Sequence, residues 1–418
     1  MFETVSAAWR IKELRRRILF TLAMFVVFRL GSHIPVPGLD PDRLAGFFEG
    51  DTLFGFINII GGGALKNLTI FAMGIMPYIN ASIIMNLLTV VIPKLKEWQE
   101  EGPEGRKKIA QLIRYGTVVL ALLQALGMSM TIFDEAILEH TIASYIVIVI
   151  SLTAGTAFLM WLGEQITEYG IGNGISLLIL AGIIAGFPMN IAIITEQVRI
   201  GEVGLPLVAL IILILLALIV AIIALDQGQR RIPVQYAKRV VGRRMYGGQS
   251  THIPMKVNQS GVIPVIFASA ILMFPQTLML FINHPIARSI AEKLSWGTLL
   301  NTILYLVLII LFAFFYTAIQ FDPNQMAANI KKYGGFVPGL RPGRPTAEYF
   351  SRVTSRLTFV GAFSLAIIAA LPIFLQEVTR VNMLFGGTGL IIIVGVVLET
   401  AKQIESHMLM RNYRGFMR

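Results

Sequence analysis

Long apolar stretches separated by short charged ones set the plan of this chain. Runs free of Asp, Glu, Lys and Arg occupy 67–93, 115–133, 140–163, 169–195, 203–225, 257–287, 294–321, 357–376 and 381–398. A membrane-spanning helix needs about 18 or more predominantly apolar residues, so these nine runs predict nine spans. A tenth is the stretch from Ile18 to Ile34, interrupted only by Arg29 near its far end. The pattern predicts an all-α polytopic membrane protein with ten transmembrane helices. One further run, residues 52–65, is charge-free but only fourteen residues long, and it ends in Gly61-Gly62-Gly63-Ala64-Leu65 before Lys66. That is too short to span. It reads either as a surface Gly-rich loop or as a re-entrant segment folded back into the bundle from outside, where non-helical backbone at membrane depth needs protein or a wet cavity around it.

Two of the runs share a motif. Gly74-Ile75-Met76-Pro77-Tyr78-Ile79-Asn80-Ala81-Ser82-Ile83-Ile84 and Gly261-Val262-Ile263-Pro264-Val265-Ile266-Phe267-Ala268-Ser269-Ala270-Ile271 agree at Gly74/Gly261, Pro77/Pro264, Ile79/Ile266, Ala81/Ala268, Ser82/Ser269 and Ile84/Ile271. A weaker echo links Gly172-Asn173-Gly174, which opens the fifth span, with Gly387-Thr388-Gly389, which opens the tenth. Internal repeats of this kind mark many membrane transport proteins.

Charge supplies the orientation. Apolar residues make up 55% of the chain and charged residues only 14%, about half the charged share of an ordinary soluble domain. Of 35 Lys and Arg, 28 fall in the two termini and in the loops around 93–114, 226–256 and 322–356. Positive charge collects on the cytoplasmic side, so both termini are expected there. The repeated motif then crosses the bilayer in opposite senses. The chain divides into two inverted pseudo-symmetric halves, 1–200 with spans one to five and the re-entrant segment, and 201–418 with spans six to ten and the basic loops 226–256 and 322–356. The N-terminal basic stretch, Arg10 to Arg17, reads as an amphipathic helix leading into an uncleaved first span, since no small-residue cleavage site follows it.

The candidate chemistry is sparse. The glycines of Glu164 to Gly174 resemble a dinucleotide-binding loop superficially, but that fingerprint needs a preceding strand, and here a membrane helix precedes it. A tight helix–helix turn using glycine at positive φ accounts for them, and Gly182 and Gly186 then allow close helix packing. The five histidines, His33, His140, His252, His284 and His407, are placed outside the spans, and there is no HExxH, no phosphate loop and no cysteine. No enzyme activity, metal or cofactor is expected. Ion-coupled transporters hold ionisable groups at mid-depth, and no Asp or Glu lies centrally in any predicted span. Isolated Asn80, Asn86, Gln124 and Gln276 suit interhelical hydrogen bonds instead. A pore for something large and variable is one reading. A small-solute transporter with inverted repeats and a membrane scaffold for ribosomes are the alternatives. The basic loops fit anionic lipids or a nucleic-acid partner.

Several long segments, in order, resemble the SecY family, the channel subunit of the bacterial protein translocase: Phe71 through Ile79, Trp161 through Ser176, Gln229 through Asn258, and Phe336 through Gly343. The resemblance covers essentially the whole chain. It implies a clamshell hinged between spans five and six, a waist ringed by Ile75, Ile79, Ile175, Ile179, Ile266 and Ile392, and a re-entrant plug at about 57–67 that includes Gly61, Gly62, Gly63, Ala64 and Leu65. It implies a lateral gate with Asn86 and Asn258 at polar positions, and Arg243, Arg244 and Arg341 as docking positions for the ribosome or the SecA motor ATPase. Many relatives carry Gln where this chain has Asn86. SecE and SecG subunits, signal peptides, nascent chains and anionic lipids are the further partners implied, in the inner (plasma) membrane.

Overall fold

The computed structural model of the chain describes residues 9, 11–40, 43, 61–201, 203–236, 239–241, 244–246, 250–279, 293–294, 298–379 and 387–415. The helices in chain order are α1 (Lys12–Gly31), α2 (Met76–Val91), α3 (Pro93–Glu100), α4 (Pro103–Thr131), α5 (Ile142–Tyr169), α6 (Gly174–Ala185), α7 (Phe187–Ile200), α8 (Leu205–Gln227), α9 (Ile263–Met279), α10 (Leu299–Gln320), α11 (Pro323–Lys332), α12 (Arg344–Thr379) and α13 (Gly387–Gly415). Strands β1 (Gln229–Tyr236), β2 (Arg239–Val241), β3 (Arg244–Tyr246) and β4 (Ser250–Lys256) lie between α8 and α9, and β5 (Gly335–Phe336) lies between α11 and α12.

Each of the ten predicted apolar segments carries a helix. Among the described residues six helical segments are long and apolar enough to cross a membrane unaided, and α2 with α3 forms a further one broken by 101°. Proline sets many of the starts. Pro77, Pro93, Pro103, Pro188 and Pro323 occupy the first or second helical position, where a missing N–H costs nothing and the fixed φ suits the helix. The basic N-terminal stretch from Lys12 belongs to the same continuous helix as the first span.

The second span begins later than its apolar run. Residues 67–75 are turns, and α2 starts only at Met76. Leu68 and Gly74 have φ of +44° and +57°, which no helix accommodates. The segment is instead tied to the loop after α1: Val36 N–H donates to the Leu68 carbonyl at 2.9 Å, and Ile70 N–H to the Ile34 carbonyl at 3.0 Å. Phe71 fills the space behind it, stacking on Phe28 of α1 and Phe158 of α5.

By compactness the chain falls into two units, Met1–Leu205 with Ser269–Thr302 and Val396–Arg418, and Pro206–Ala268 with Ile303–Gly395. In the first, the turn after α5 is a hub. Arg17 donates to the Gly170 carbonyl at 3.2 Å, and Thr21 Oγ1 accepts from Ile171 N–H at 3.1 Å. Gln403 Oε1 accepts from Gly172 N–H at 3.0 Å. Gly172 has φ of +84°, as the tight-turn reading required. Asn173 caps α6 by accepting from Ile175 and Ser176 N–H groups. An ion pair between Arg114 and Glu164, 2.7 Å apart, ties α4 to α5.

In the second unit the two basic loops are joined rather than separate. The all-α architecture therefore carries a small antiparallel sheet of order β4-β1-β5, with Ile232 opposite Ile253 and Gln235 opposite Phe336. Ile232, Val234 and Met255 bury one face of it against Ile330 of α11, Val337, and Phe350 and Val353 of α12. Strand β5 must be glycine at 335, where any Cβ would press on the Tyr236 ring at 2.8 Å.

Of the histidines, His33 follows α1, His140 precedes α5, His252 lies in β4 and His407 in α13, while His284 is outside the described residues.

Candidate functional site: isoleucines at paired helix starts and the turn above them

The two copies of the repeated motif build the same helix entry. Gly74 and Gly261 both adopt left-handed backbone, and each is followed two residues later by the first residue of a helix whose second residue is proline. No crowding explains either glycine. A Cβ at Gly261 would meet nothing within 4 Å, and one at Gly74 only the Gly61 Cα at 3.9 Å. The positive φ itself selects glycine. This places Ile79 and Ile266 at the same position of their helices, three residues beyond the first helical residue.

In the first unit, Ile75 caps α2 and Ile79 N–H donates back to its carbonyl, so the two isoleucines lie one turn apart on one face. Both are buried, as is Ile179. Ile175 is half-buried and lies over Gly163 of α5, whose lack of a side chain admits it. The Gly61–Leu65 turn sits beside these helix starts. A Cβ at Gly62 would come within 3.2 Å of Gly182 Cα and 3.6 Å of Ala185 Cβ, and one at Gly74 within 3.9 Å of Gly61 Cα. Gly74 directly precedes Ile75. Gly182 lies three residues past Ile179, about 4.5 Å further along α6 at the usual helical rise. The turn is thus packed just beyond the isoleucines of both helices. Gly61, Gly62, Ala64 and Leu65 are buried and Gly63 half-buried. Gly62 and Gly63 have φ of +67° and +88°. Arg29 of α1 donates from Nη1 to the Gly62 carbonyl at 2.9 Å. Residues 57–60 of the expected plug are outside the described residues.

In the second unit, Gly395 of α13 packs on Val262 so closely that a Cβ there would collide with it. Ile392 precedes Gly395 by three residues and Ile266 follows Val262 by four. If the spans alternate in direction, those two offsets run the same way, to about 4.5 and 6 Å from the contact. Ile392 is buried and Ile266 half-buried. Phe267 beside it packs edge-on against Phe312 and Tyr316 of α10.

The polar positions behave differently from one another. Asn258 is buried and its amide works locally: Nδ2 donates to the Gly261 carbonyl at 3.2 Å, and Oδ1 accepts from Ser260 at 3.4 Å. It braces the entry to α9, a role sequence reasoning missed, although an Asn three residues before a glycine at a helix start signals such a turn. Asn86 is half-buried, and its carbonyl accepts from Thr89 at 2.7 Å. Asn80 is buried in α2, Gln124 half-buried in α4, and the side chain of Gln276 is outside the described residues.

Arg341 is exposed in the turn between β5 and α12. Gly339 and Gly343 flank it with φ of +82° and +111°, and its carbonyl accepts from Thr346 Oγ1 at 2.8 Å. Among the described residues it forms no ion pair. Arg244 opens β3, which pairs with β2, and Arg243 is outside the described residues.

The comparisons give the family and the fold. A family model described as SecY matches residues 69–401. The protein translocase subunit SecY of Halalkalibacterium halodurans is 49% identical over 432 residues, covering 100% of both chains. A solved structure described as a protein conducting channel superposes with a TM-score of 0.67 at 20% identity, covering 94% of this chain and 92% of its own. Sec61 in a canine ribosome-channel complex from the endoplasmic reticulum superposes at 0.63 and 18%, covering 94% and 92%. At those identities the structures speak for the fold.

Proposed function

The chain belongs to the SecY family of protein translocase subunits, and on that footing we propose that it works as a passive pore whose waist, plug and gate are the residues described above. It is a multi-pass membrane protein, a protein-conducting channel rather than an enzyme. Unfolded secretory proteins pass outward through it, and apolar segments leave sideways into lipid. The halves 1–200 and 201–418 meet at the α7–α8 turn, which is the hinge of the clamshell. Ile75, Ile79, Ile175, Ile179, Ile266 and Ile392 form the ring. Branched apolar side chains close on one another by packing and yield sideways to a passing chain, which fixed polar ligands would not. Gly61 through Leu65 belong to the plug, and α2 and α9 are the two lips of the lateral gate, with Asn86 and Asn258 on them.

The drive comes from outside the chain, from the SecA motor or a translating ribosome, while SecE and SecG complete the channel. The small sheet packed on α11 and α12 is the docking platform. Beside it Arg341 stands on a glycine-flanked turn and Arg244 opens β3, with Arg243 next to it in the sequence, and guanidinium groups suit phosphate and carboxylate surfaces. Exposed cations at the cytoplasmic face also suit anionic lipids. The inner (plasma) membrane, with both termini cytoplasmic, is the setting.

The observation that carries the reading is the packing of the Gly61–Leu65 turn onto Gly74 and Gly182, directly beyond the isoleucines of α2 and α6. The test uses the absence of native cysteine. A single cysteine at Ile79 should cross-link to a secretory chain stalled in transit, and one on the exposed face of α8, at Leu213, should not. Equal labelling of both, or labelling of Leu213 alone, would overturn the pore assignment.

A further inference from the structure

We infer that Arg29 is the latch that holds the Gly61–Leu65 turn in place at rest. The inference rests on the reading of that turn as the plug. From Ile18 to Ser32, Arg29 is the only charged residue. A guanidinium in a span is costly and is kept where a carbonyl or counter-charge receives it. Here the Gly62 carbonyl receives it at 2.9 Å, and among the described residues Arg29 forms no ion pair.

Arg29 itself is exposed, but the backbone that carries it is fixed. One residue before Arg29, Phe28 is buried and stacks on Phe71, and its carbonyl accepts from Ser32 Oγ at 2.9 Å. Two residues after it, Gly31 lies against the Phe71 ring. The acceptor end is a turn whose other hydrogen bonds are local: Ala64 N–H to the Gly61 carbonyl, Asn67 N–H to the Gly63 carbonyl, Leu68 N–H to the Leu65 carbonyl, and Thr69 N–H and Oγ1 to the Ala64 carbonyl. Among the described residues, the Arg29 bond is the one hydrogen bond that joins Gly61–Leu65 to a transmembrane helix. The remaining hold is packing: Ala64 and Leu65 are fully buried, and Gly62 lies close to Gly182 and Ala185, as Gly61 does to Gly74. Such contact is non-directional and tolerates sliding, whereas a charge-assisted hydrogen bond fixes one position. Arg29 is therefore a positioning residue. It sets the rest position of the turn and is released when the turn is displaced.

The test measures resting ion leak with the full-length chain in proteoliposomes. Losing one charge-assisted hydrogen bond should raise the displaced fraction, and so the leak, roughly ten-fold or more for Arg29→Ala. Arg29→Lys retains a charged donor and should restore most of the seal, which a purely structural loss would not predict. The cysteine-free background permits a second arm, Gly62→Cys with Ala185→Cys. The 3.6 Å spacing of those Cβ positions is within disulfide reach, and because φ of +67° strains any side chain at 62, the reduced double variant with Arg29 intact is the reference for that strain. Oxidising that pair should abolish the Arg29→Ala leak, and reduction should bring it back. A tight Arg29→Ala channel, or a leak indifferent to oxidation, would overturn the latch. An oxidised pair with Arg29 intact that still translocates secretory protein would overturn the plug reading itself, whatever Arg29 does.

Discussion

Gly74 and Gly261 hold the same left-handed conformation, φ +57° and +62°, at matching positions ahead of α2 and α9. The equivalence seen as six shared letters is thus an equivalence of backbone. A side chain at either position is strained by conformation and not by space. Gly74→Ala and Gly261→Ala are each expected to cost about 1–2 kcal/mol, seen as a lowered thermal midpoint in detergent. Asn at either site should cost less than Ala. Two alanine variants as stable as the parent would mean that these helix entries relax freely.

The ring gives a second expectation. Ile79→Gly and Ile266→Gly remove branched side chains from equivalent positions, so each should raise ion leak across reconstituted membranes, and the double variant more than either. Leak unchanged in the double variant would remove both residues from the ring.

The gate residues give a third. Cysteines at Asn86 and Asn258, joined by a short cross-linker, should block signal-sequence insertion, and cleavage of the linker should restore it. Because Asn258 also braces the Gly261 turn, Asn258→Cys alone should cost about 1 kcal/mol of stability. The uncross-linked single variant is therefore the reference. Insertion that survives the cross-link would mean that α2 and α9 need not part.

Docking can be separated from folding in the small sheet domain. Arg341→Glu lies on an exposed turn and should weaken ribosome or SecA binding several-fold in a co-sedimentation assay, with the thermal midpoint unchanged. Phe350→Ala empties the centre of the buried cluster and should cost about 3–5 kcal/mol. Binding that is insensitive to Arg341→Glu would leave that turn without a docking role.

The apolar runs announced the helices because lipid tolerates few alternatives to a closed backbone ladder. They did not announce where α2 begins. Residues 67–75 are as apolar as the rest of their run, and hydropathy is blind to the positive φ of Leu68 and Gly74 or to the bonds that tie the segment to Val36 and Ile34. The sheet was legible in part. Ile232 and Val234, like Ile253 and Met255, alternate with polar neighbours as half-buried strands do. The basic residues around them and the two prolines, Pro233 and Pro254, masked that signal. The partnership of β1 with β5, about 100 residues later, has no local signature at all. The short charge-free run and the repeat singled out Gly61–Leu65 and the pair Ile79 and Ile266, but Ile75, Ile175, Ile179 and Ile392 could be named only through resemblance, since a buried isoleucine looks like any other. The Arg29 contact depends on a turn that brings residues 33 positions apart together, which no pattern foretells.

The bonds from Val36 to Leu68 and from Ile70 to Ile34 have a kinetic consequence. They pin the chain immediately behind the Gly61–Leu65 turn, so that turn is on a leash of a few residues, each spanning at most about 3.6 Å. A displaced turn therefore stays in the neighbourhood of Gly182, at an effective concentration of roughly the millimolar order expected of short tethers. On the plug reading, resealing is then a first-order event within one molecule. Its rate is independent of how many channels the membrane holds, and it begins as soon as the last residue of the passenger has cleared.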